Sequence, residues 1–125
     1  MQHDEFIARV AQRAGVSRAE AESLTRATLA TLAERISGGE ARDLAAQLPL
    51  ALQDPLLSSA EQAEAFSFDE FVSRTAERAG VDRSMAEAGV DAVMATLRDA
   101  VTPGELDDVL SQLPADFNRL GVPRT

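Results

Sequence analysis

The 125-residue chain contains no cysteine, tryptophan, tyrosine or lysine, and only one histidine, His3. Each absence closes a class of chemistry. Without cysteine there is no disulfide, no thiolate metal site and no thiol nucleophile. A lone imidazole leaves a transition-metal site short of nitrogen and sulfur ligands. No serine lies in a G-x-S-x-G turn, so nucleophilic catalysis lacks its parts. Neither G-x-x-x-x-G-K nor G-x-G-x-x-G occurs, and Gly38-Gly39 reads as part of a helix cap rather than a phosphate cradle. These readings predict a protein with no catalytic residues, no cofactor and no metal. With aromatics at 4%, the core must be built from Leu, Val, Ile, Ala and five Phe. That composition suits close-packed helices better than strands.

A basic surface is missing too. The net charge is −9, and residues 1–62 carry 6 Arg against 9 acids while residues 63–125 carry 6 against 12. Phosphate backbones and anionic membranes are therefore not expected partners. No apolar run approaches the ~18 residues of a membrane span. The opening stretch MQHDEFIARV has no charged-then-apolar export pattern. A cytoplasmic location is expected.

What the sequence does contain is a repetition. RAGVSRAEAE at 13–22 returns as RAGVDRSMAE at 78–87, and residues 3–52 align with 68–117 without a gap, 22 of 50 positions being identical. A single domain spanning 1–125 is predicted. It comprises one internal repeat over 3–52, a linker over 53–66, a second repeat over 67–117 and a tail over 118–125.

Each copy reads as three helices. Phe6, Val10 and Ala14 are spaced by fours in the first, which should end at Gly15, and its equivalent at Gly80, where a left-handed residue is wanted. Ser17 and Asp82 are N-caps for a long second helix. Its apolar stripe is Ala86, Val90, Val93, Met94, Leu97 and Val101 in copy two, and Ala21, Thr25, Thr28, Leu29, Leu32 and Ile36 in copy one. Gly89 replaces Leu24 at the equivalent position, where another backbone could approach closely.

Ser17 with Glu20, Ser37 with Glu40, Ser67 with Glu70 and Thr102 with Glu105 all have capping-box spacing. The third helix stops before QLP, which should turn Leu48 and Leu113 into the core. In the linker, Leu56 and Leu57 are expected to tack the chain onto the core. A fifty-residue unit buries too little surface alone. The expected fold is thus all-α, a six-helix bundle of two tandem three-helix repeats with an approximate internal two-fold.

The ordered pattern DEF…RAGV…AE…A…TL…GE…QLP, present twice, resembles the bacterial family known as domain of unknown function 2267. The resemblance covers nearly the whole chain and implies an all-helical cytosolic protein. It carries over no activity and no site residues. Copy two departs from copy one with Thr75 for Val10 and Pro103 for Gly38.

Acidic pairs at Asp4 and Glu5, Asp69 and Glu70, and the group Glu105, Asp107 and Asp108 fall in first helical turns, where they complement the helix dipole. Glu5, Arg9 and Arg13 recur as Glu70, Arg74 and Arg78 at i, i+4, i+8, a spacing for surface ladders. Arg18 and Arg83 follow their N-caps directly, at the positive end of a helix. This unfavourable placement calls for a compensating carboxylate, and Asp43 and Asp108 are the expected partners. Arg9, Arg13, Arg18, Arg74, Arg78 and Arg83 form the candidate interaction face. The expected function is a non-catalytic module that binds another protein or self-associates. The alternative is a small-ligand module with its site between the repeats, which would need Thr25, Thr28 and Gly89 to enclose a cavity.

Overall fold

The computed structural model describes residues 1–57 and 63–113. It is all-helical: α1 (His3–Ala14), α2 (Arg18–Arg35), α3 (Gly38–Ala45), a single 3-10 turn (Leu50–Leu52), α4 (Asp54–Leu57), α5 (Phe68–Ala79), α6 (Arg83–Ala100) and α7 (Pro103–Ser111). Among the described residues there are seven α-helices rather than the six expected. The addition is α4, one turn inside the segment read as linker. Asp54-Pro55 starts it, proline being tolerated in a first turn. Pro55 and Leu56 are buried, while Leu57 points outward at 50% exposure, so only one of the two leucines tacks the chain down. The predicted tail over 118–125, and residues 114–117 of the second repeat, lie outside the described residues.

Local chemistry sets the helix ends as expected. Gly15 and Gly80 hold φ of 70° and 69°, and their amides close on Ala11 and Ala76. Ser17 makes a full capping box with Glu20, and Asp82 accepts from the Met85 amide at 2.8 Å.

The core is shared by both halves of the chain. Phe6, Ile7 and Val10 from α1 sit in one cluster with Phe71 from α5 and Val90, Val93, Met94 and Leu97 from α6. Helices α2 and α6 lie at its centre and pack on each other. Every residue of the two expected stripes is buried, Thr25 and Thr28 included. Leu48 and Leu113 are buried as well, at 5% and 8% exposure. The packing is crossed. Besides its own neighbour α2, α1 lies on α6 of the other half, while α5 lies on α2, and α3 meets α7.

Gly89 is needed at the crossing of α2 and α6. A Cβ built there would stand 2.7 Å from Leu24 Cδ2. The Leu24 side chain occupies the space beside Gly89.

Candidate functional site

Several hydrogen bonds between the halves come in matched pairs 65 residues apart. Arg13 Nη1 donates to Thr96 Oγ1 at 2.9 Å, and Arg78 Nη1 donates to Thr31 Oγ1 at 2.8 Å. Each threonine in turn donates to the carbonyl four residues earlier, Ala92 and Ala27. Arg9 and Arg13 converge on Asp99, and Arg74 and Arg78 converge on Glu34. These arginines hold Asp99 and Glu34 below the usual carboxylate range, with the Arg13 and Arg78 hydrogen bonds the largest causes. Arg74 also binds Glu70 and Glu64 and stacks 3.9 Å over the Phe66 ring, and its own pKa is raised.

The six arginines singled out by sequence are therefore all engaged within the chain. Arg9, Arg13, Arg74 and Arg78 tie one half to the other. Arg18 pairs with Asp4 at 3.3 Å, and Arg83 pairs with Asp69. This corrects the expectation of Asp43 and Asp108 as partners. The first turn of α1 is what lies beside the start of α2, as the 2.8 Å contact of His3 Nε2 with Glu22 also records. Asp43 is held elsewhere, on α3 where it meets α7.

That meeting point is a site sequence reasoning did not find. Ser37 and Thr102 cap α3 and α7 by accepting from the Glu40 and Glu105 amides, but the boxes are not completed. The cap amides are taken from across the molecule: Ser37 N donates to Gln112 Oε1 and Thr102 N donates to Gln47 Oε1, both at 2.8 Å. Displaced from their local role, Glu40 and Glu105 turn toward each other. Ser67 is likewise a one-sided cap, because the Glu70 carboxylate goes to Arg74 instead.

An oxygen each from Glu40, Asp43 and Glu105 lies within 4.8 Å of the other two. Glu40 Oε1 and Glu105 Oε2 are shielded from solvent without a hydrogen-bond partner among the described residues. Loss of solvation, then the neighbouring Glu40 carboxyl, then the charges of Asp43 and Asp108, push the Glu105 pKa up to about 7. Such a cluster can hold a proton near neutral pH, or offer oxygens to a hard cation. The sequence signal was the duplicated box itself, since both glutamates sit 65 residues apart and meet at a helix contact.

Two open depressions lie along α2. One, of about 370 Å³, is lined by Ser23, Arg26, Ala27, Ala30, Pro55 and Arg78; the other, of about 310 Å³, by Ala19, Glu20, Ser23, Ala79, Gly80 and Val81. They share Ser23, where α2 meets the end of α5, and the larger of the two, bordered by Arg26 and Arg78, is an open trough. Beside it the connecting segment exposes Leu50 at 81% and Leu57 at 50%.

A fold without strands among the described residues, its halves locked by reciprocal polar contacts, defines an all-helical protein with no functional class attached. The profile of the family described as "Uncharacterized conserved protein (DUF2267)" matches residues 3–120, and the chain belongs to that family. None of the curated proteins matches it. No helix among the described residues is long and apolar enough to cross a membrane.

Proposed function

We propose that the protein is a non-catalytic helical interaction module of the bacterial cytoplasm, its two repeats related by an approximate internal two-fold. The two-fold reading is supported by the crossed pairs: Arg13 to Thr96 with Arg78 to Thr31, and Gln112 to Ser37 with Gln47 to Thr102. One observation carries the interaction reading. Among the described residues most large apolar side chains are buried, but Leu50 and Leu57 are exposed, in the segment between α3 and α5. Exposed leucines beside an open trough are what a partner's apolar surface covers. The partner is another protein rather than nucleic acid or membrane, because the net charge is −9 and neither half of the chain has a basic excess.

The test is site-specific photo-crosslinking in the native host, with the crosslinker at position 50 or 57 and controls at 77 and 107. A discrete adduct from 50 and 57, absent from the controls, supports the reading, and mass spectrometry of the adduct separates a foreign partner from a second copy. Equal or absent labelling at all four positions overturns it.

A further inference from the structure

We infer that the trough along α2 is a binding site for a small organic oxyanion, a carboxylate or phosphate head on a short aliphatic tail, with one site per chain. The proposed protein partner contacts Leu50 and Leu57 beside this trough, whereas the ligand site uses Ser23, Arg26 and Arg78 within it. The head would sit between Arg26 and Arg78. Among the described residues Arg26 has no carboxylate partner; its Nη1 donates to the Ala51 carbonyl at 3.0 Å, leaving its other guanidinium donors open. Arg78 spends Nη1 on Thr31 and Glu34 and also lines the trough. Two guanidinium groups and the Ser23 hydroxyl make a donor set for an oxyanion. Ala27, Ala30 and Pro55 wall the trough beside the head; the neighbouring depression adds Ala19, Ala79 and Val81, together with Glu20, whose carboxylate accepts from the Ser17 amide. A volume of about 370 Å³ is within the range of small-ligand clefts.

The other half of the molecule supplies an internal comparison. Sixty-five residues on, Ser23 becomes Ala88, Arg26 becomes Asp91, Ala27 and Ala30 become Ala92 and Ala95, and Arg13 stands for Arg78. There the second cation is replaced by an acid and the hydroxyl is gone. The charge inversion at position 91 and the loss of the hydroxyl at position 88 leave the α2 trough the better suited of the two to an anion. The ligand stoichiometry is therefore one, although the chain is duplicated.

The experiment is a titration of the full chain with butyl phosphate, butyrate, inorganic phosphate and butylamine, followed by amide chemical shifts. Saturable shifts confined to the neighbourhood of residues 19–30, 55 and 78–81 are expected with the butyl anions. Inorganic phosphate should bind at least several-fold more weakly, and butylamine should give no response. Which butyl anion saturates first tells a phosphate ligand from a carboxylate one. Arg26→Asp, which copies the other half, should weaken binding at least tenfold. Ser23→Asp, which leaves the Ala51 contact intact, should do the same if Arg26→Asp disturbs the fold. Non-saturating shifts, shifts spread over all arginines, two equivalent sites, or binding unchanged in both variants would overturn the assignment.

Discussion

Replacing Glu105 by glutamine should change how stability depends on pH. Glu105 faces Glu40 where α3 meets α7, with one oxygen of each carboxyl shielded and unpartnered. Its pKa rises from 4.5 to about 7 on folding, chiefly through desolvation. Below pH 4.5 the carboxyl is protonated in both states, and the α3–α7 contact is at its most favourable. Between 4.5 and about 7 the unfolded chain releases the proton while the folded chain keeps it. Stability therefore falls as pH rises, by up to ~1.4 kcal/mol per unit. Above about 7 the loss is complete.

A shift of this size corresponds to ~3 kcal/mol for a fully shielded group, at ~1.4 kcal/mol per unit. Glu105 is half-buried, so solvent screening reduces the expected loss to about 1–3 kcal/mol. Glutamine keeps the shape, can donate to Glu40 and cannot ionise. Urea unfolding followed by circular dichroism between pH 4.5 and 8.5 measures the effect. The two proteins should be about equally stable at pH 4.5, and Glu105→Gln should be about 1–3 kcal/mol more stable at pH 8. His3, beside Glu22, is common to both chains and cancels in the comparison. The arginine-held acids Asp99 and Glu34 have lowered pKa values, so their stabilisation is lost only as pH falls through the acid range, outside this window. Parallel curves from pH 5 to 8, or a variant less stable than the parent at pH 8, would refute the reasoning.

Thr25 and Thr28 are fully buried with hydroxyls that find no partner among the described residues, and Val90 and Val93 occupy the equivalent positions. Thr25→Val and Thr28→Val should leave stability unchanged or raise it by up to ~2 kcal/mol; a loss above ~1 kcal/mol at both sites in thermal unfolding contradicts this. Gly89→Leu should destabilise by ~2 kcal/mol or more, since Leu24 fills the space. Exchanging the two residues, Leu24→Gly with Gly89→Leu, should recover part of that loss, with a coupling of ~1–3 kcal/mol in a double-mutant cycle; additive losses would show that the close approach is not the cause. Gln112→Ala strips the Ser37 amide of its acceptor, and Gln47→Ala does the same to Thr102. Each should cost ~1–2 kcal/mol and speed hydrogen exchange at the orphaned amide; unchanged exchange at both would mean that the local glutamate completes the box after all.

Short-range features are legible in the sequence alone. The left-handed glycines at 15 and 80, the caps at Ser17 and Asp82, the burial of the α2 and α6 stripes and the inward turn of Leu48 and Leu113 each depend on residues within a few positions along the chain. A backbone of defined geometry reads such patterns locally. The family follows from the same order of motifs. The duplication indicated that the halves share a surface, but not which side chains would meet across it. That depended on how α1 lies on α6 and α5 on α2, which brings Arg13 to Thr96 and Arg78 to Thr31. The same packing supplies Gln47 and Gln112 to the caps of the opposite half, and so frees Glu40 and Glu105 from boxes that spacing alone would assign to them. Arg18 has Asp4 rather than Asp43 for the same reason. A side chain with several possible partners takes the one that tertiary packing brings within about 3 Å, and sequence spacing fixes only the candidates on its own helix.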